Sequence, residues 1–206
     1  MNAYKHSEIS VEKRGGSIDD YYPIHSFLDS TKELCSDNRH RILHNLWGIR
    51  RVVIPIFGAT IINSDNKKVN VKDLLEQDHI LPDYGNKFIP TLFDFSDAIN
   101  DQNFNIKEIE AVLEKYKNDQ PVYRLLLSPL AITGELKSLL FTHNSWFINE
   151  IIPLVLNKKP VVHQFLISPN KVFSKMEFKR WMNNGETYPK SAKNIEHIFN
   201  YGLFEE

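Results

Sequence analysis

One stretch of this chain has the pattern of a β-hairpin, and it limits the fold more than any other feature of the sequence. Short runs rich in β-branched residues at 59–62 and 69–71 flank the polar turn at 63–68. Gly, Pro and capping residues divide most of the other residues into segments whose apolar side chains recur at helical spacing. We therefore predict a mainly α fold (α+β) with one β-hairpin.

Local signals place several helices in the first hundred residues. Gly15-Gly16 ends the first of them, because glycine accepts the left-handed backbone of a helix C-terminus. Pro55 ends or kinks the third. These helices are predicted at 4–14, 22–34, 38–54, 72–80 and 92–99.

The polar segment 101–105 has no periodicity and is the predicted domain boundary. It separates a histidine-rich helical domain with the hairpin (1–100) from a mainly helical C-terminal region (101–206). In that region, helical spacing at 106–117 predicts a helix, the apolar stretch 134–157 predicts core, and capping residues predict helices after Ser174 and Ser191.

Composition excludes several classes of protein. The 25 basic and 26 acidic residues are balanced, so we expect no general nucleic-acid binding. A single cysteine, Cys35, excludes an internal disulfide framework. The longest apolar run, 52–62, is about half the ~20 residues of a membrane-spanning helix, and no signal-peptide pattern opens the chain. We therefore expect a cytoplasmic protein without membrane association.

Two pairs of metal-ligating side chains have the spacing of one helical turn. His25 and Asp29 are four residues apart on one predicted helix, and His40 and His44 are four apart on the next. Such residues share a helix face and can close on one metal ion, as in the HxxxH pattern. We predict an HxxxD/HxxxH helix pair as the centre of the N-terminal domain.

If these two helices form an antiparallel hairpin that turns near residue 36, His25 and His44 lie at similar distances from the turn, and so do Asp29 and His40. His25 can then face His44, and Asp29 can face His40. His79, with Asp83 close behind it, is the natural further histidine. Imidazoles combined with carboxylates suit a divalent metal such as Zn²⁺ or Fe²⁺. The alternative is that these histidines are surface residues or hydrogen-bonded core residues.

The N-terminal half also resembles a known family. The pattern H…GG…DYYPIHSFLDSTK…RHR…H begins at His6 and ends at His44. It is followed by Phe57-Gly58, by Thr60 to Asp65, by the Glu76-Gln77 segment with His79, and by Ile-Pro-Thr at 89–91. It is similar to an uncharacterised domain family found in bacteria and phages. The resemblance covers about residues 4–99 and implies a boundary near residue 100 and important histidines, but no reaction. The chain departs from the pattern by one extra residue, Asp78.

Arginines near the predicted site suggest an anionic ligand. Arg39 and Arg41 offer planar donor forks suited to phosphate, unless they pair with Asp37, Glu33 or Asp29. No P-loop, GxGxxG or GxSxG motif occurs.

The predicted function is metal-dependent hydrolysis of a phosphorylated or nucleotide-like substrate. His25, His40, His44 and His79 would hold the ion. Asp29 would be a fifth ligand or the general base, and Arg39 and Arg41 would bind substrate. One alternative is a non-catalytic module that captures a nucleotide or a partner protein through a His/Arg pocket. Another is a purely structural metal or hydrogen-bond network.

Overall fold

The computed structural model describes residues 1–100, 105–158 and 167–177, and opens with two helices that pack against each other. Helix α1 (Ala3–Arg14) ends at Gly15, whose φ of 77° lies in the left-handed region that favours glycine. Helix α2 (Ile18–Asp29) begins earlier than predicted, because Ser17 and Asp20 form a reciprocal capping box. The helix predicted at 4–14 is confirmed.

The two long helices predicted between residues 22 and 54 are wrong in their extent. After α2 the backbone tightens into a 3₁₀ helix. The predicted helix 38–54 is broken because Asn45 is extended and its side chain accepts a hydrogen bond from the Gly48 amide, which caps a new helix. His40 and His44 therefore do not share a helix. The segments are 3₁₀ helices at Ser30–Glu33 and Asn38–Leu43, α3 (Leu46–Gly48), a π-helix at Ile49–Val53 and α4 (Ile54–Phe57).

The predicted hairpin is confirmed. Strands β1 (Thr60–Ile62) and β2 (Lys68–Asn70) pair antiparallel, with Ile61 opposite Val69. The chain then becomes helical again as α5 (Val71–Leu75), a π-helix at Glu76–Ile80 and α6 (Leu81–Asp83).

The rest of the described chain is helical. The helix predicted at 106–117 is confirmed, whereas the residues after Ser174 form a turn and a bridge between Ile99 and Met176. The helix predicted after Ser191 lies outside the described residues. No helix in the described ranges is long and apolar enough to cross a bilayer. The elements are α7 (Leu92–Asp97), α8 (Ile106–Tyr116), α9 (Gln120–Thr133), a 3₁₀ helix at Leu136–Phe141, a π-helix at Phe147–Ile151, α10 (Ile152–Leu156) and α11 (Pro169–Phe173).

One hydrophobic cluster contains residues from both sides of the predicted boundary. Trp47 stacks on Phe147 with ring centroids 5.9 Å apart, and its indole N–H donates to the Ser128 hydroxyl at 2.9 Å. The two predicted regions therefore share core contacts in the full chain. Whether residues 1–100 fold on their own remains a prediction.

Candidate metal centre

Four buried side chains from four segments converge on one point. Asp29 is the last residue of α2, and His44 follows the 3₁₀ helix at Asn38–Leu43. His79 lies in the π-helix at Glu76–Ile80, and Asp83 is the last residue of α6. Each offers one ligand atom, and these four atoms lie within 4.8 Å of one another. His44 and His79 are fully buried, and both carboxylates are buried too. Asp29, His44, His79 and Asp83 form what we call the DHHD cluster.

The separations within the DHHD cluster match a coordination sphere. The Nε2 atoms of His44 and His79 are 3.1 Å apart, and each is 3.4 Å from Asp29 Oδ1. Asp83 Oδ2 is 3.5 Å from His44 Nε2 and 3.9 Å from His79 Nε2. Two atoms bonded to one ion at about 2.1 Å are about 3.0 Å apart at a right angle and about 3.4 Å apart at a tetrahedral angle. The residues present therefore fit a divalent metal ion.

Hydrogen bonds behind His79 fix the tautomer that metal binding requires. The Ser10 hydroxyl donates to the His6 carbonyl at 3.1 Å, so its oxygen accepts from His25 Nε2 at 2.9 Å. Burial lowers the pKa of His25 to about 3, so its ring is neutral and its Nδ1 accepts. His79 Nδ1 donates to that atom at 2.9 Å, which leaves the His79 Nε2 lone pair facing the cluster.

Two further histidines border the DHHD cluster without belonging to it. His6 Nδ1 donates to the Asp78 carbonyl at 2.9 Å, and His40 Nδ1 donates to the Asp37 carbonyl at 2.6 Å. Because a carbonyl only accepts, a neutral ring in either position keeps a lone pair at Nε2. Both Nε2 atoms are buried and lack a hydrogen-bond partner within the described part of the chain.

Asp78, the residue by which the chain departs from the family pattern, lies in the π-helix at Glu76–Ile80. A π-turn holds one residue more than an α-turn, which is what an insertion at this position would require. The Asp78 carboxylate is buried and pairs with Arg14 and with Lys13 on α1. These ion pairs tie the π-turn to α1, and the turn presents His79 to the cluster.

Charge in the DHHD cluster is arranged as a metal ion needs it. Burial acts to raise the pKa of Asp29, but the adjacent imidazoles of His44 and His79 outweigh it and hold that pKa well below its usual value. The pKa of Asp83 is likewise low despite burial, because histidines surround it. Burial lowers the pKa of His44 and of His79. At neutral pH the cluster therefore combines ionised carboxylates with neutral imidazoles, the forms that bind metals.

Of the residues predicted to form the site, Asp29, His44 and His79 meet in the cluster, whereas His25 and His40 lie outside it. The predicted pairing of side chains between the two helices is wrong. Asp29 faces His44 instead of His40, because 3₁₀ segments, which rise further per residue, replace the expected helical hairpin. His25 contacts His79 instead of His44. The role of Asp29 as general base stays a prediction, because its Oδ1 is one of the four candidate ligand atoms.

Sequence reasoning names Asp83 only as a neighbour of His79 and assigns it no role. The signal that identifies it is its spacing of four residues from His79, the same spacing as in the two pairs singled out above. His6 also receives no role from the sequence. The family pattern includes it, but its spacing in the sequence does not indicate its approach to Asp83, which depends on how α1 packs.

The two arginines predicted to bind substrate lie in different environments. Arg41 is buried, donates to the Asp83 carbonyl at 3.1 Å and lies 5.0 Å from the Tyr84 ring centre. Its Nε is 4.0 Å from Asp83 Oδ2 and has no hydrogen-bond partner in the part of the chain that the structure describes. Arg39 instead donates to the Asp37 carboxylate and, at 2.6 Å, to the Phe173 carbonyl.

Comparison with known proteins gives a family and no activity. No curated protein and no solved structure matches the chain. Residues 1–105, half of the chain, match a family described as a domain of unknown function, DUF6915, in agreement with the extent of the resemblance. The chain carries the whole DHHD cluster inside this matched segment and belongs to the DUF6915 family.

Proposed function

We propose that the protein is a metal-dependent hydrolase and that the DHHD cluster holds its Zn²⁺, Fe²⁺ or similar divalent ion. The observation that carries this proposal is the convergence of four buried ligand atoms at coordination spacing. Lys32 lies 2.6 Å from Asp29 Oδ2 and the Met1 amino group lies 2.8 Å from Asp83 Oδ1, so cations already pair with one oxygen of each carboxylate. Asp29 Oδ1 is buried, faces the two imidazoles and has no hydrogen-bond partner among the described residues, which is costly for a charged group. A divalent ion removes that cost, and the mixed N/O ligands suit zinc or iron.

A bound divalent ion supplies two things to a hydrolase: it lowers the pKa of a coordinated water and polarises the oxygen of a phosphoryl group. An ion that takes more than four ligands would have room for water and substrate beside the four residues of the DHHD cluster. His40 Nε2 is buried beside the ring of His44, with ring centroids 5.8 Å apart, and has no hydrogen-bond partner among the described residues. His40 is therefore one acceptor that could take the proton from an attacking water, the general-base role that the sequence offered for Asp29 as an alternative to ligation.

The surroundings of the DHHD cluster favour an anionic substrate such as a phosphate ester or nucleotide. Lys32 Nζ lies 2.6 Å from Asp29 Oδ2 and its side chain is 38% exposed, so this side of the cluster reaches solvent. The unused Arg41 Nε offers a donor next to Asp83. Arg41 and Lys32 would bind the phosphate oxygens, whereas the donors of Arg39 already serve Asp37 and Phe173.

The experiment loads the protein with Zn²⁺, Mn²⁺ or anaerobic Fe²⁺, measures metal by plasma mass spectrometry, and assays phosphate release from nucleotides and phosphate monoesters. Asp83→Asn should lose metal and lower the rate at least ~100-fold, because it removes a charged ligand. Asp73→Asn is the matched control, with a side chain 51% exposed on the same helical stretch, and should retain both properties. A loaded protein that hydrolyses none of these substrates contradicts the enzyme proposal.

The burial of all four ligand residues supports a second candidate, a non-catalytic site. A four-coordinate zinc ion with no open position would tie α2, the π-turn and α6 together as a structural metal. A site that binds nucleotides without hydrolysing them would be the binding module predicted from the sequence. X-ray absorption spectroscopy identifies the structural case, since a closed structural site shows four ligands and no coordinated water.

A further inference from the structure

We propose that the centre is dinuclear, with a second divalent ion bound by His6 Nε2 and Asp83 Oδ1 and with the Asp83 carboxylate bridging the two ions. This inference rests on the first ion, at the DHHD cluster, and adds to it a site that needs His6. It does not depend on whether the protein is a hydrolase.

His6 has the properties of a metal ligand that is not yet bonded. Its ring is fully buried on α1 and stacks on His79, with centroids 3.8 Å apart and an angle of 12° between the planes. The Asp78 carbonyl accepts a hydrogen bond from its Nδ1 N–H, so Nε2 is the ring atom that remains to bind a metal. That atom has no hydrogen-bond partner among residues 1–100, 105–158 and 167–177, and buried polar atoms without partners are few in native proteins.

The two oxygens of Asp83 face two different sets of ligands. Oδ2 faces the Nε2 atoms of His44 and His79, at 3.5 and 3.9 Å. Oδ1 faces His6 Nε2 at 3.4 Å, the spacing of two ligands at a tetrahedral angle on one ion. A carboxylate whose two oxygens face different sets of ligands can bridge two ions. Ions in two-metal sites are typically about 3.5–4 Å apart.

One ion at the DHHD cluster would satisfy Asp29, His44, His79 and Asp83 Oδ2 but would leave His6 Nε2 facing an anionic oxygen. A proton on His6 Nε2 is the competing explanation, and it predicts one ion per chain. The Met1 amino group also lies 2.8 Å from Asp83 Oδ1 and would have to leave before an ion bound there. Water or substrate oxygens would complete the second coordination sphere, as they do at ions held by few protein ligands.

The test is the number of ions per chain. The full chain is stripped with chelator and titrated with Mn²⁺, and the bound ions are counted. Electron paramagnetic resonance of the same samples distinguishes an exchange-coupled pair from isolated Mn²⁺. We expect two ions and a coupled spectrum in the wild type. His6→Phe keeps a ring against His79 but removes both nitrogens, and should bind one ion with an uncoupled six-line spectrum.

His143→Phe is the control, because it makes the same substitution at a buried histidine elsewhere, and it should keep two ions. A wild-type chain that saturates at one ion with an uncoupled spectrum overturns the dinuclear proposal and leaves the hydrolase proposal standing. Two ions in His6→Phe would also overturn it. A chain that binds no Mn²⁺, Zn²⁺ or Fe²⁺ contradicts the first site as well, so the two failures are distinguishable.

Discussion

The turns that contain His44 and His143 are built alike, although only the first contributes to a candidate metal centre. In both, a buried histidine follows a 3₁₀ helix and precedes an asparagine. The Asn45 side chain accepts from the Gly48 amide and the Asn144 side chain from the Phe147 amide, each at 3.0 Å. A π-helix follows each turn, at Ile49–Val53 and at Phe147–Ile151, and a proline lies soon after it.

The two histidines differ in what surrounds their rings. His44 Nε2 faces the carboxylates of Asp29 and Asp83. His143 Nδ1 instead contacts the Leu139 carbonyl at 2.9 Å and the Thr142 hydroxyl at 3.0 Å. Its Nε2 has no hydrogen-bond partner in the described ranges. Within the described residues, His143 does not belong to a metal-ligating group.

The comparison separates the needs of the fold from those of the site. A turn of this type buries a histidine that has no carboxylate ion pair among the described residues, as His143 shows. The carboxylates around His44 are therefore not required to build the turn. Lys32 and the Met1 amino group pair with the outer oxygens of these carboxylates, and the oxygens that face His44, Asp29 Oδ1 and Asp83 Oδ2, are the ones that a metal ion would compensate.

The largest expected effect is on metal binding, when each histidine is replaced by alanine. We expect His44→Ala to lose bound metal and His143→Ala to keep it, because only His44 lies among ligand atoms. A metal at a thousandfold excess over its Kd adds about 4 kcal/mol to the free energy of unfolding, and this increment should vanish in His44→Ala alone. Denaturant unfolding with and without metal measures it. Equal increments in both variants would contradict the assignment of His44.

The second effect concerns acid stability and belongs to His143. Burial lowers its pKa from 6.5 to about 4, so the unfolded chain takes up a proton at a higher pH than the folded one. The stability contributed by the neutral ring is therefore complete above pH 6.5 and is lost as the pH falls to 4, by about 3 kcal/mol. Glutamine at this position does not titrate. Between pH 6.5 and pH 4, the free energy of unfolding of His143→Gln should therefore fall by about 3 kcal/mol less than that of the wild type.

Urea unfolding of metal-free protein at several pH values between 6.5 and 4 measures this difference. Metal-free samples are needed because ligand protonation also releases metal. Parallel stability profiles for the wild type and His143→Gln would show that His143 is not buried in its neutral form.

The smallest effect tests whether the two regions can be separated at all. Residues 1–100 should fold alone, since the family match ends near this point. Their free energy of unfolding should be lower by about 2 kcal/mol or more, because Trp47 loses its contacts with Phe147 and Ser128. Circular dichroism during urea unfolding measures it. An unfolded fragment, beside a folded full chain, would mean that the regions form one continuous domain.

Features determined by nearby residues were predictable from the sequence, and features determined by packing were not. Gly15 ends α1 and the polar turn closes the hairpin because local backbone preferences decide both. The apolar spacing across 38–54 resembles one helix, and it conceals the cap at Asn45. Asn45 was the available signal, since asparagine is a preferred N-cap residue.

The candidate site was partly predictable for the same reason. Histidines four residues apart are visible in the sequence, but the approach of His79 to Asp29 depends on the packing of α2 against the 71–83 segment. The His25–His79 contact likewise joins residues 54 positions apart. Spacing within one helix cannot give such contacts, so His25 and His40 were placed among the ligands instead of around them.

The π-turn at Glu76–Ile80 has a consequence for how this family can vary in length. Removing one residue from a π-turn restores an ordinary α-turn. His79 and Asp83 lie at and beyond the end of this turn, and their mutual spacing of four residues survives a deletion at Asp78. A family member shorter by one residue here can keep the same pair of ligands. Alignments that score such a gap as a lost histidine would then separate proteins with the same chemistry.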